Sequence, residues 1–156
     1  MALFIDTFVN RIDKKGRISV PASFRAALAG QVFQGIAAFP TFKYPAIQCG
    51  GLDWMAGLLA SLGSVDMFSD AHDDITAAVF ADTKQLAFDG EGRIMLPEAL
   101  TRHAGITDVA AFVGRGPTFE IWEPSRFETY KAEARKRALE KGRTLRQAPT
   151  GETGGK

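Results

Sequence analysis

A single cysteine, Cys49, stands in 156 residues. That excludes an internal disulfide framework and a cysteine-rich zinc site, and it fits a reducing, cytoplasmic setting. Two histidines, His72 and His103, are too few for a histidine-built metal centre. No run approaches the ~18 uncharged apolar residues that a membrane span needs. Met1 to Thr7 meets Asp6 with no basic stretch before it, which argues against a secretory leader. The net charge of +1 gives bulk electrostatics no polyanion to attract. With 46% hydrophobic and 24% charged residues the composition is globular rather than disordered or collagen-like. The length suits one ordinary domain, or two very small modules sharing a core.

The charge is unevenly distributed. Residues 1–125 carry 10 Lys and Arg against 14 Asp and Glu, whereas 126–146 carry 8 against 3. Asp53 to Glu91 holds 8 acids and one base, Lys84. Against that background Arg11, Lys14, Lys15 and Arg17 place four bases in seven residues, with Asp13 the one acid among them. Such segregation suits a surface with one basic working edge.

The chain also repeats itself. Ile12-Asp13-Lys14-Lys15-Gly16-Arg17-Ile18-Ser19-Val20-Pro21 recurs 76 residues later as Phe88-Asp89-Gly90-Glu91-Gly92-Arg93-Ile94-Met95-Leu96-Pro97. Asp, Gly, Arg, Ile and Pro keep their spacing, and Ala37-Ala38-Phe39 is echoed by Ala110-Ala111-Phe112. This reads as an internally duplicated fold over residues 7–62 and 83–137. A connecting helix over 63–82 has an acidic face at Asp66, Asp70, Asp73 and Asp74. A basic segment follows from 138 to 156, disordered beyond Gln147.

Each copy parses alike. Thr7 to Ile12 reads as a strand, Asp13 opens a turn that closes on Gly16 at positive φ, and Arg17 to Val20 leaves as the return strand. Pro21 starts a short helix with Phe24, Ala27 and Leu28 on its apolar face and Gly30 at its end. In the second copy Asp89, Gly92, Pro97 and Gly105 take the corresponding places. Two strands follow per copy: Ile36 to Phe42 and Ala46 to Cys49, then Val109 to Val113 and Thr118 to Trp122. A helix closes each copy. The first has a stripe of Leu52, Met55, Leu58, Leu59 and Leu62; the second runs from Pro124 to about Leu139 with Phe127, Tyr130 and Ala134 inward. A ~50-residue unit of short strands buries too little surface alone, so the copies are expected to share one core, with strands pairing between them as a pseudo-twofold β-α-β unit.

The repeated segment is the sharpest feature. Turn geometry explains its Asp, Gly and Pro, but by itself leaves its arginine unexplained. A guanidinium at a hairpin tip suits bidentate contact with guanine or phosphate, and it equally suits a solvated turn. Other candidate sites are weaker. Cys49 reads as a small buried apolar residue before it reads as a nucleophile. His72-Asp73-Asp74 reads as a solvated acidic face, and Gly114-Arg115-Gly116-Pro117 as a hairpin turn. The basic helix from Lys131 to Arg146 reads as solvated, with phosphate contact as the alternative. No acid, base and nucleophile converge, so no enzyme is expected.

Val9 to Pro21 with Phe24-Arg25, then Asp89 to Ile94, His103-Ala104-Gly105-Ile106-Thr107, Phe112-Val113-Gly114 and Phe119-Glu120-Ile121-Trp122, together resemble the MraZ family over residues 5–137. The resemblance implies an α+β, β-rich fold of two SpoVT/AbrB-like repeats, a double-split β-α-β of the AbrB or swapped-hairpin kind, with a C-terminal helix. It implies a ring-shaped homo-oligomer that binds double-stranded DNA without a cofactor, small-molecule substrate or membrane. The protein would be a cytoplasmic, nucleoid-associated regulator, usually a repressor, acting on direct repeats upstream of its own operon of division and cell-wall genes. Its DNA-contacting residues would be Arg11, Lys14, Lys15 and Arg17, with Arg93 from the second copy. There Gly90 and Glu91 replace the two lysines, so the second tip is expected to contact DNA less. The alternative is an AbrB-like antitoxin or another protein-interaction module, which the two repeats and short tail disfavour.

Overall fold

The computed structural model describes residues 2–142. The expected disorder beyond Gln147 therefore lies outside the described residues. The body up to Pro124 is built from two interlocked copies of one strand-strand-helix-strand-strand unit. In the first copy these elements are β1 (Thr7–Arg11), β2 (Arg17–Ser19), α1 (Ala22–Ala27), β3 (Gly35–Pro40) and β4 (Ala46–Gly50), followed by α2 (Leu52–Ser61). After α3 (Asp70–Ile75) the second copy gives β5 (Lys84–Ala87), β6 (Arg93–Met95), α4 (Glu98–Ala104), β7 (Val109–Gly114) and β8 (Phe119–Trp122).

The sheets show how the copies are joined. Six strands run in the order β1-β7-β8-β4-β3-β5, and β2 pairs with β6 in a separate two-stranded ribbon; every pairing is antiparallel. Exchanging the copies reproduces both orders, the signature of a pseudo-twofold. β1 and β2 are thus not a hairpin ladder. They are tied at the turn, where the Asp13 N–H donates to the Arg17 carbonyl at 2.9 Å, and by the Asn10 side chain, whose Nδ2 donates to the Ser19 carbonyl at 2.7 Å. Beyond the turn each arm pairs with the other copy. The expected β-rich α+β fold with strands pairing across the copies is therefore present.

Alternation explains the burial. In the ribbon Ile18 pairs with Ile94, and both are 1% exposed, while their neighbours Arg17, Ser19, Arg93 and Met95 point outward. Beneath lie Phe4, Phe24, Phe112 and Phe119, all fully buried, with ring centroids 4.9–6.5 Å apart. Phe4 was outside the repeat as read from sequence, yet its backbone pairs with Gly116 in both directions at 2.7 and 2.9 Å. Truncating one such ring is worth ~3–5 kcal/mol.

The echo of Ala37-Ala38-Phe39 in Ala110-Ala111-Phe112 turns out to be one residue out of step. Phe8 pairs with Phe112, and Lys84, the counterpart of Phe8, pairs with Ala38. Ala38 and Phe112 are thus equivalents, and both face the main core. Phe39 lies on the opposite face of the sheet, in a second cluster with Met55 and Val79, its ring stacked 6.3 Å from Trp54. A one-residue slip exchanges the faces of a strand, and a run of small apolar residues does not fix its own register.

Other departures have local causes. The 63–82 segment is not one helix. Asp66 closes a turn, its Oδ1 accepting from the Phe68 N–H at 3.1 Å, and Ser69 caps α3 by accepting from the His72 N–H at 3.1 Å. The helix then widens into a π-helical turn over Thr76–Phe80. Leu59 is 59% exposed rather than part of the inward stripe. Gly30 is not a left-handed cap, whereas Gly105 is, at φ 69°. Gly50 and Gly51 let α2 start directly off β4: a Cβ on Gly50 would lie 2.9 Å from the Trp54 ring. After the body, Pro124–Glu140 forms α5, on which Phe127 and Tyr130 rings meet at 6.3 Å and Lys131 lies 3.4 Å from Glu128.

Candidate nucleic-acid interface

Both turns are built by one aspartate. Asp13 Oδ1 accepts from the backbone N–H groups of Lys15 at 3.0 Å and Arg17 at 2.8 Å, and Oδ2 accepts from Arg17 Nε at 2.7 Å. Asp89 repeats this with Glu91 at 2.9 Å, Arg93 at 2.9 Å and Arg93 Nε at 2.8 Å. The N–H groups of Gly16 and Gly92 each donate to the carbonyl of their turn aspartate at 3.0 Å, and both glycines sit at positive φ, 85° and 75°. A side chain at either position is strained. The backbone N–H of Arg17, more than any other group, holds the Asp13 carboxyl below the usual carboxylate range, and that of Arg93 does the same for Asp89.

This geometry supplies what the turn alone left unexplained about the arginine. Each guanidinium is anchored at Nε by its own turn, which fixes its direction. For Arg17 no partner among the described residues takes the outer nitrogens. For Arg93 the second tip adds an acid: Nη2 lies 3.1 Å from Glu91. Asp89, then Glu91, also push the Arg93 guanidinium further up from its ordinary value. The two tips are alike in backbone and unlike in available charge.

The ribbon brings these groups onto one face. Arg17 is directly opposite Met95, and Ser19 opposite Arg93, so the two arginines lie on a diagonal of the outward face. At each end of the ladder the tip is tied to the other copy, Leu96 N–H donating to Gly16 O at 2.9 Å and Val20 N–H to Gly92 O at 3.1 Å. The tips therefore stand at opposite ends of the ribbon, four residues or ~14 Å apart at strand rise. Lys14 and Lys15 are solvent-exposed at the first tip and have no ion pair among the described residues. The acid near them, Glu98, is already engaged by Arg102 at 2.8 Å.

Arg11 is not brought onto this face. It follows Thr7 and Val9 on the outward side of β1, whereas Phe8 packs against the core under the ribbon. Three residues that the sequence reading passed over do belong to the neighbourhood. Ser19 and Met95 complete the outward ribbon face, visible only once β2 is paired with β6. Arg25 on α1 donates from Nε to Val20 O at 3.1 Å and lies against the second tip beside Gly92, which returns a cation to the end where Glu91 removes one.

The weaker candidates fall away as sites. Cys49 is fully buried, and burial followed by the nearby Glu120 charge pushes its thiol well up from its ordinary value. His72 is a turn residue of α3 held by Ser69, and no group of three or more metal-ligating side chains occurs among the described residues. The Gly114 to Pro117 segment is the β7–β8 turn, with Arg115 N–H donating to Thr118 O at 2.9 Å and Arg115 paired with the buried Glu120 at 2.8 Å. No helix among the described residues is long and apolar enough to cross a membrane.

The chain is similar in sequence to known proteins over nearly its whole length. A family model described as "MraZ protein, putative antitoxin-like" matches residues 79–147. A protein of Rickettsia canadensis (strain McKiel) named "Transcriptional regulator MraZ" is 43% identical over 148 residues, covering 95% of this chain and 99% of its own. A protein of the same name from Rickettsia bellii (strain OSU 85-389) is 45% identical over 147 residues, covering 94% and 98%.

Proposed function

The chain belongs to the MraZ family, whose matched relatives are named transcriptional regulators rather than enzymes, and from that premise we propose that it is a sequence-specific DNA-binding transcriptional regulator. The observation that carries the reading is the outward face of the β2–β6 ribbon. A two-stranded antiparallel ribbon fits the major groove of B-DNA. Here it presents Arg17 pre-aimed by Asp13 and flanked by Lys14 and Lys15, in a body that is otherwise net acidic. Arg17 serves as the base-reading donor, Lys14 and Lys15 as phosphate contacts, Arg11 as a flanking phosphate contact, and Arg93 as a weaker contact from the second tip.

The protein acts in the cytoplasm on the nucleoid, as a repressor of its own operon of division and cell-wall genes. It does so as a ring of identical chains that engages direct repeats. Self-association is supported by an apolar hollow of about 670 Å³ lined by Phe42, Trp54, Leu58, Val65, Ile75 and Phe80, with the Phe42 side chain 70% exposed. One tip reads too few base pairs for specificity, and repeated tips on one ring convert weak contacts into ~10²–10⁴ of added affinity. The family description also supports a second reading, an antitoxin-like protein-interaction module. The deciding experiment measures affinity at fixed salt for one upstream repeat, three repeats at ~10 bp spacing, and three repeats with ~5 bp inserted. Strong binding to phased repeats alone is expected. Equal affinity for all three duplexes overturns the ring as the source of recognition, and no binding to any of them favours the second reading.

A further inference from the structure

Resting on the reading of the ribbon as a DNA surface, we infer that Met95 is a specificity-determining residue that recognises the 5-methyl group of thymine in the major groove. Met95 is 56% exposed on the outward face, directly across the ladder from Arg17. The remaining outward side chains, Arg17, Ser19 and Arg93, are all polar. The internal repeat supplies a control. The position equivalent to Met95 is Ser19, also exposed, so the fold accepts a short polar side chain at that place and takes no core packing from the methionine.

The spacing suits base readout. Side chains directly opposed in an antiparallel pair have Cβ atoms ~4.5–5.5 Å apart, and residues two apart on a strand are ~6.8 Å apart, twice the 3.4 Å step between stacked bases. Arg17 and Met95, directly opposed across the ladder, are thus close enough to reach the same or neighbouring base pairs. The thymine methyl is the one apolar group on the major-groove edges of the bases. A methionine thioether is long, adaptable and polarizable, well suited to cover it. The first copy, with serine in that place, lacks this contact, so the two halves of the ribbon read different bases.

The test uses the full chain. Wild-type protein first selects a duplex from a random-sequence pool. Each thymine of that duplex is then replaced singly by deoxyuridine, which removes only the methyl, and affinity is measured at fixed salt. At one position wild-type binding is expected to weaken about fourfold, the worth of one buried methyl-sized group. Met95→Ser, which copies the first repeat, should bind the thymine and uracil forms of that position equally, with an unchanged melting temperature and salt dependence. Met95→Leu should retain the discrimination. Wild-type indifference to every thymine-to-uracil change, or discrimination that survives Met95→Ser, overturns the assignment while leaving DNA binding in place. Failure of the wild type to enrich any sequence overturns the DNA reading itself, and this assignment with it.

Discussion

Transplanting the second tip onto the first, Lys14→Gly with Lys15→Glu, isolates charge from fold. Residues Gly90 and Glu91 already occupy a turn with the same hydrogen bonds, Asp89 Oδ1 accepting at 2.9 Å from Glu91 and Arg93 where Asp13 Oδ1 accepts at 3.0 and 2.8 Å. The double variant therefore keeps its backbone and should melt within ~2 °C of wild type, since exposed substitutions away from special features stay within about 0.5 kcal/mol. It removes two cations and adds one anion, and the new glutamate is placed to engage Arg17 as Glu91 engages Arg93 at 3.1 Å. Each lost phosphate contact flattens the plot of log affinity against log salt by ~0.9, so two lysines account for a slope change of ~1.8 per engaged subunit. Wild-type affinity falls ~12-fold more steeply than that of the variant between 50 and 200 mM salt on this account, and several subunits on one duplex multiply the effect. Fluorescence anisotropy with a labelled operator duplex across that salt range measures both slope and affinity. A folded, normally assembled variant with wild-type slope would refute the placement of the DNA surface at this tip.

Arg17→Ala should abolish operator binding, whereas Arg93→Ala should weaken it only modestly, because Arg93 is already occupied by Asp89 and Glu91; equal losses in titrations of both folded variants would make the tips equivalent. Asp13 and Asp89 have depressed carboxyl pKa values, so their contribution to stability is fully present above the ordinary carboxylate range near pH 4 and fades as pH falls through their lower folded values. The double Asp13→Asn, Asp89→Asn variant should thus show a shallower loss of melting temperature below pH 4 than wild type. Parallel melting curves from pH 5 to pH 2 would rule that contribution out.

Much of this molecule is legible in ten residues read twice. The turn aspartates, the positive-φ glycines, the proline-led helices and the cross-copy pairing follow from the repeated segment, because turn chemistry is local and a doubled turn announces a doubled unit. The residue-by-residue equivalence of β3 and β7 in the two copies does not follow, because small side chains such as Ala37-Ala38 and Ala110-Ala111 pack on either face of a strand. The broken 63–82 segment hides behind its helical spacing, since Asp66 and Ser69 serve a turn and a cap rather than a continuous acidic face. For the candidate site the sequence names Lys14, Lys15 and Arg17, but the anchoring of Arg17 by Asp13 and the membership of Ser19, Met95 and Arg25 depend on contacts that linear order does not contain.

The covalent joining of the two copies frees the ribbon from palindromes. A dimer of identical chains must offer two identical tips, and a two-fold protein is matched to an inverted sequence. In this chain the halves cannot separate at any concentration, and each can change without the other. One tip has kept two lysines while its twin carries glycine and glutamate. If the ribbon binds DNA as proposed, one strong and one weak end give it a polarity, and its footprint on a duplex would distinguish left from right. Molecules of the proposed ring, laid side by side in a common orientation, would then call for sites that all point the same way.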